Sequence, residues 1–375
     1  MDKLPAGIRN KFLKKQATKA AESASTSGTT TPSTGSILSG AETPLTPTTQ
    51  DPEIPFPLSD LDACLACDTP CTPEEVASYP AYIAKSIDRE LPLLGSVKPY
   101  GRHILVATGK TDWMHSIDEE EGSVTRGIWR GLYDKDVGGR KRDGEERIVL
   151  SNTSFAPRRI GSRKTEVVLL PDFRIIGGVS TATSSEFVRR FVDGQGEEQG
   201  GLTAERLPFH SIVLICSHAK RDKRCGVTSK YLVKAFESGL RRRYIYRSFD
   251  DTRTESQGGT KGGGVVVGCL SHIGGHKFAG NVIIYRRRTR SVDQLSEKLK
   301  GLTVESETEG AATSVGEGTD GGKEVEEDVM AEGIWLGRVE PRHVEAIIEE
   351  VILKGHVFKE LYRGGIPSKY ASLQF

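Results

Sequence analysis

The stretch Ser211-Ile-Val-Leu-Ile-Cys216 constrains this chain more than any other: five apolar residues in a row, three of them β-branched, with no polar alternation. A short run of that kind is a buried strand. It ends in a cysteine, passes through the loop 217–224 and meets Cys225, after which Tyr231, Val233, Phe236 and Leu240 recur at roughly helical intervals. A second buried run, Gly264–Leu270, leads into His272-Ile-Gly-Gly-His276. Strand ends of this sort let a rigid sheet aim side chains while the loop backbone adapts.

Two soft thiolates and two imidazoles can close two tetrahedral iron sites or one tetrahedral zinc site. Zinc fingers and ribbons separate paired cysteines by two to four residues. Here eight residues lie between Cys216 and Cys225, a width that suits a larger object such as a two-iron cluster. The His272-x₃-His276 spacing fits zinc equally well, and two unconnected pairs in an ordinary core remain a third reading. His218 is an alternate ligand or, more simply, a surface loop residue. Cys269 is expected in the core, since buried cysteine behaves as a small hydrophobe. Lys220, Arg221, Lys223 and Arg224 either favour a reduced cluster, steer an acidic partner, or form a solvated basic loop. Asn281 and Gly280 are expected to shape the histidine loop.

The segments CSHAKRDKRCG and SHIGGHKFAGNVIIY, with GIWLGRVEP (Gly333–Pro341) and ELYRGG (Glu360–Gly365), resemble the sucrase/ferredoxin-like family. The stretches DACLACDTPC and PYGRHILVATG extend the resemblance towards the N-terminus. It implies an α/β (α+β) fold: a thioredoxin-like ferredoxin domain preceded by a second lobe that reads as a degenerate thioredoxin-like unit. It also implies a [2Fe–2S] cluster held by Cys216, Cys225, His272 and His276. Related thioredoxin-like ferredoxins carry a Cys-x₃-Cys pair where this chain has His-x₃-His. Four thiolates give an oxidised cluster a charge of −2, whereas two thiolates and two neutral imidazoles give zero, so the reduction potential should rise. Rieske centres show the same trend, at roughly −150 to +300 mV against about −400 mV for plant-type ferredoxins.

Composition sets the frame around this site. The chain has 375 residues, 42 of them glycine, and a formal charge of +1, which gives no ground for a nucleic-acid partner. The expected organisation is a disordered basic then Ser/Thr-rich tail over 1–58, an N-terminal lobe over 59–205 and the ferredoxin-like domain over 206–375. The acidic, Gly-rich stretch of about 304–328 reads as a disordered insertion between two strands. Strands are expected at His103–Thr108, Arg147–Leu150, Val167–Ile176, Arg243–Arg247, Asn281–Arg286 and Gly333–Val339. Helices are expected at Ser184–Val192, capped by Ser184 or Ser185, and from Pro341 through Leu353. No internal sequence repeat is visible.

Six cysteines in a chain without a secretory signal or membrane span read as metal ligands or redox groups rather than disulfides. The expected setting is intracellular and soluble, the cytosol slightly ahead of the mitochondrion. Cys64-x₂-Cys67-x₃-Cys71 is a possible second metal site; it matches three ligands of a [4Fe–4S] run, but Leu61 takes the first place. Gly109-Lys110-Thr111 imitates the end of a phosphate-binding loop, yet Ile104 occupies the required first glycine. Cys216 as a phosphatase nucleophile fails because Asp222 stands where a basic residue is needed. The C-terminal Leu373-Gln374-Phe375 is similar to tripeptides that direct proteins to the iron–sulfur assembly machinery. The resulting expectation is a redox carrier rather than an enzyme, working with a redox partner protein. The alternatives are a thiol–disulfide oxidoreductase using Cys64/Cys67 or Cys216, and a zinc-stabilised interaction module.

Overall fold

The computed structural model describes residues 53–66, 73–157, 163–195, 201–250, 263–288 and 330–370. Most of the expected tail, Cys67, Cys71, the stretch 304–328 and the C-terminal tripeptide lie outside the described residues. Residues 53–58, grouped with the tail by composition, belong to the fold: Phe56 is buried against Tyr362, and Leu58 pairs with Val357.

The first half contains β1 (Arg102–Ala107), helix α1 (Val124–Tyr133), β2 (Ile148–Thr153), β3 (Thr165–Leu170), β4 (Arg174–Val179), helix α2 (184–192) and β5 (Thr203–Arg206). The second contains β6 (Ser211–Cys216), helix α3 (Lys223–Arg242), β7 (Tyr246–Arg247), β8 (Val265–Leu270), β9 (Val282–Arg288), β10 (Met330–Leu336), helix α4 (341–354) and β11 (Tyr362–Tyr370). Both halves share one wiring. With the two-residue β7, which pairs parallel with β8, set aside, the first strand lies parallel to the second and antiparallel to the third, and the third is antiparallel to the fourth. The resulting orders are β2-β1-β3-β4 and β8-β6-β9-β10. Parallel neighbours need a crossover, and α1 and α3 supply it. This is the thioredoxin-like arrangement, present twice.

The halves meet edge to edge. β2 and β8 pair antiparallel at the single position Thr153↔Leu270, which makes one 11-stranded sheet. Side chains reinforce the seam. Thr153 Oγ1 donates to Cys269 O at 2.9 Å, Ser154 Oγ accepts from Cys269 N at 2.9 Å, and Ser271 Oγ accepts from Asn152 N at 2.9 Å.

The apolar runs explain this architecture because most central strands are covered on both faces. On one face of the second half, Val213, Ile215, Val265 and Ile284 pack under α3 and α4 through Leu232, Phe236, Ile347 and Val351. On one face of the first half, Ile104, Val106, Val167 and Leu169 pack under α1 and α2. The remaining faces of both halves share a third cluster that includes Leu105, Val168, Ile212, Leu214 and Leu270, and both Cys216 and Cys225 belong to it.

The structure revises several boundaries. The apolar stretch Val167–Ile176 is a hairpin, β3 and β4, because Pro171 and Asp172 turn the chain between them. Thr183, rather than Ser184 or Ser185, precedes α2, and Ser184 Oγ instead donates to Ser180 O at 2.8 Å. Helix α1, β5 and β11 were not anticipated. Among the described residues, no helix is long and apolar enough to cross a membrane.

Candidate metal centre

Cys216 closes β6 and Cys225 sits in the first turn of α3, so the loop between them bends back over the strand end. Asp222 caps that helix by accepting from Arg224 N at 2.9 Å, and it grips the Arg224 guanidinium at 2.8 Å. Gly226 allows the close return, since a Cβ there would lie 2.9 Å from Ala219 Cα. His272 follows β8 after one residue, and the chain then turns on Gly274 (φ +86°) and Gly275 (φ +72°) to reach His276. Both glycines occupy the left-handed region that side chains disfavour.

The result is a compact thiol–imidazole group. Ligand atoms of Cys216, Cys225 and His272 all lie within 4.8 Å of one another. His276 stands just outside this trio, its Nδ1 3.3 Å from His272 Nε2 and its side chain 46% exposed. Burial is graded: both cysteines are 1% exposed, His272 is half-buried and His276 is exposed. A hydrogen bond from Cys225 to the Cys216 sulfur pulls the Cys216 thiol well below the usual range, and the same bond pushes Cys225 up. Partial burial and the neighbouring His272 imidazole lower His276, despite Asp222 Oδ2 at 3.9 Å from its Nε2.

These residues suit a thiophilic metal centre. His272 Nδ1 is buried and has no hydrogen-bond partner, an expensive state for an imidazole nitrogen unless something else engages it. Two sulfurs with adjacent imidazoles form a donor set for iron or zinc.

His218 is neither a surface residue nor positioned as a ligand. It is 1% exposed, and both of its ring nitrogens are engaged. Its Nδ1 accepts from His272 N at 3.1 Å, so Nε2 carries the proton and donates to Trp113 O at 3.1 Å. It therefore ties the histidine loop to the first half of the molecule. More of that contact comes from the loop after β1: Thr111 O accepts from Ser217 Oγ, Asp112 Oδ1 accepts from Lys220 N, and His115 O accepts from Arg221 Nη1. The basic loop is thus not uniformly free. Arg224 is committed to Asp222 and Ser86 O, and Arg221 leans on His115, whereas Lys220 and Lys223 are exposed.

Cys269 lies in the core as expected, its thiol raised by burial. Cys64 lies partly buried on a short helix. Asn281 shapes the histidine loop by donating from Nδ2 to Gly275 O at 3.0 Å. Sequence reasoning missed Arg363, a 1% exposed guanidinium lying against this loop, although ELYRGG had already drawn attention to its segment.

The first half carries no such residues at the equivalent positions. Strand register places Ala107 opposite Thr153 as Cys216 stands opposite Leu270. Ala107 therefore occupies the Cys216 position, and Phe155 that of His272. Among the described residues, the second half alone gathers three cysteine or histidine donors.

Two joined units of thioredoxin-like wiring, one carrying thiols and imidazoles at its strand ends, define the class of protein by fold. The chain belongs to the sucrase/ferredoxin-like family, whose profile matches residues 93–364. It is similar to actin patches distal protein 1 of Saccharomyces cerevisiae, with 27% identity over 77% of this chain and 80% of that protein. It is also similar to altered inheritance of mitochondria protein 32 of Debaryomyces hansenii (25% identity, 75% of this chain, 88% of that protein). The Clavispora lusitaniae protein of the latter name is 30% identical over 43% of this chain and 37% of its own length. No solved structure matches the chain significantly.

Proposed function

We propose that the chain is an electron carrier or redox sensor that holds a [2Fe–2S] cluster on Cys216, Cys225, His272 and His276. The observation that carries this reading is the pairing of two buried sulfurs with two imidazoles, one half-buried and one exposed, at the ends of two parallel neighbouring strands. Such a cluster supplies one-electron storage at a potential above that of four-thiolate ferredoxins. The residues provide the rest. Cys216 and Cys225 anchor the inner side of the site away from water. His272 and His276 form its outer side, where His276 offers an edge to a docking partner and a ring nitrogen that exchanges protons with solvent. Exposed Lys220 and Lys223 favour a redox partner protein with an acidic face. Burial disfavours a thiol–disulfide oxidoreductase working through Cys216: with Cys216 and Cys225 each 1% exposed, an incoming disulfide has little access to either sulfur.

EPR with UV–visible spectroscopy on anaerobically purified protein, beside His272→Cys and His276→Cys, tests the reading. The expected result is a reducible [2Fe–2S] signal with lowered average g that shifts in either variant. A colourless protein holding stoichiometric zinc, with no signal after reconstitution, would replace the carrier with a zinc-stabilised module.

A further inference from the structure

Arg363 heads the largest fully buried side chains among the described residues. Its hydrogen-bond acceptors are all neutral: Ser96 Oγ for Nε at 3.0 Å, and Asn281 Oδ1 at 2.8 Å and Gly274 O at 3.3 Å for Nη1. The ring of Phe278 lies 5.4 Å from the guanidinium carbon and that of Trp335 lies 6.0 Å from it. Among the described residues, no carboxylate lies within ion-pair distance. Burial pulls the group down only to about 10, so it stays charged at neutral pH. A buried cation without an anion is costly. The groups whose charge acts on it are the Cys216 and Cys225 sulfurs, both of which would be thiolates when holding a metal.

We propose that Arg363 is a positioning residue with two effects at the metal centre: its fixed positive charge favours the reduced, more negative state, and its guanidinium pins the loop bearing His272 and His276. This rests on the iron–sulfur reading above. The charge effect follows from the count of charges. With two thiolates and two neutral imidazoles the oxidised centre is neutral and the reduced centre carries −1, so a nearby cation stabilises only the reduced form. The pinning effect follows from the contacts. One guanidinium nitrogen holds Gly274 O and the Asn281 side chain together, and Asn281 in turn donates to Gly275 O. The turn between the two histidines is therefore fixed from beneath by a single planar cation.

The test is an anaerobic redox titration followed by EPR on full-length wild type, Arg363→Gln, Arg363→Lys and Asn281→Asp, with iron release to a chelator measured alongside. Wild-type colour and EPR signal decide the iron–sulfur reading independently of the variants. At a fixed electrode potential, the reduced-to-oxidised ratio should fall at least tenfold in Arg363→Gln and change less in Arg363→Lys, which keeps the charge. Asn281→Asp places a carboxylate against the guanidinium and should lower the ratio in the same direction, which covers the case in which Arg363→Gln does not fold. Iron release should accelerate in both Arg363 variants. A wild-type cluster whose reduced fraction is the same in Arg363→Gln or in Asn281→Asp overturns the charge effect, since a purely structural residue would alter release alone. Unchanged release in both Arg363 variants overturns the pinning effect.

Discussion

Adjacent glycines between the two histidines offer a controlled comparison of backbone and packing effects. Gly274 and Gly275 both have left-handed φ, +86° and +72°. Alanine at either position therefore incurs a backbone penalty of about 1–2 kcal/mol. They differ in what a new methyl would meet. At Gly274 nothing lies within 4 Å, whereas at Gly275 the Cβ would fall 2.5 Å from Arg363 Cζ and closer still to Nη2. The guanidinium cannot withdraw easily, because Ser96, Asn281 and Gly274 hold it in place. Overpacking a fixed neighbour adds roughly 1–3 kcal/mol. Gly274→Ala should thus destabilise the protein by about 1–2 kcal/mol and Gly275→Ala by about 2–5 kcal/mol. Urea unfolding of the metal-free protein is the assay, with chelator present so that metal binding does not add to the native state. In an Arg363→Met background the excess cost at Gly275 should disappear. Equal costs for the two alanine variants in the wild-type background would refute the reasoning and place Arg363 away from the turn.

Other expectations concern burial and pairing elsewhere. His218→Phe removes the acceptor for His272 N and the donor to Trp113 O, leaving two buried backbone groups unpaired at about 1–3 kcal/mol each; faster metal loss to a chelator, with all four candidate ligands intact, is the expected readout. Arg286 and Glu332 pair across β9 and β10 at 2.7 Å with side chains 8% and 3% exposed. Glu332→Gln should therefore cost about 3–5 kcal/mol by leaving a buried charge unpaired, whereas Arg286→Met combined with Glu332→Leu should cost less, as judged by urea midpoints. His103 is fully buried between Tyr285 and Ser151, and burial lowers it to about 3. Its neutral form stabilises the fold fully above the unfolded pKa near 6.5, and that contribution is lost as pH falls from there towards 3, by about 1.4 kcal/mol per pH unit. Stability measured from pH 7 to 4 should fall less steeply in His103→Gln, and an unchanged slope would remove this assignment.

The cysteine and histidine segments were legible in the sequence because they join apolar runs to residue types that seldom occur together without a metal. The fold of the second half was legible for a related reason: Ile212–Ile215 and Val265–Val267 are short, continuous apolar runs made mostly of β-branched residues, so they could hardly be surface strands. The first half was harder. Val167–Ile176 looked like one strand because apolar residues flank Pro171-Asp172 on both sides, and only pairing between β3 and β4 reveals the turn. The shared wiring of the two halves leaves no mark in the letters, since Ala107 and Phe155 stand where the second half has a cysteine and a histidine; only strand register aligns them. The sequence misplaces His218 as a ligand or surface residue and leaves Arg363 unassigned because their roles depend on partners 105 and 89 positions away, Trp113 and Gly274. No local pattern can announce such contacts.

The seam at Thr153 and Leu270 has a consequence for assembly. Antiparallel pairing of two equivalent strands is the geometry that a two-fold axis would impose on separate copies of one unit. Here covalent linkage supplies the second copy, so the strand edge that would otherwise recruit another molecule is already satisfied within the chain. At the far side of the first unit, β5 presents Thr203, Ala204, Glu205 and Arg206, all exposed. Charged residues on a short outer strand discourage further edge-to-edge addition. One potential sticky edge is thus closed by its internal twin, and the outer edge at β5 is blunted by charge.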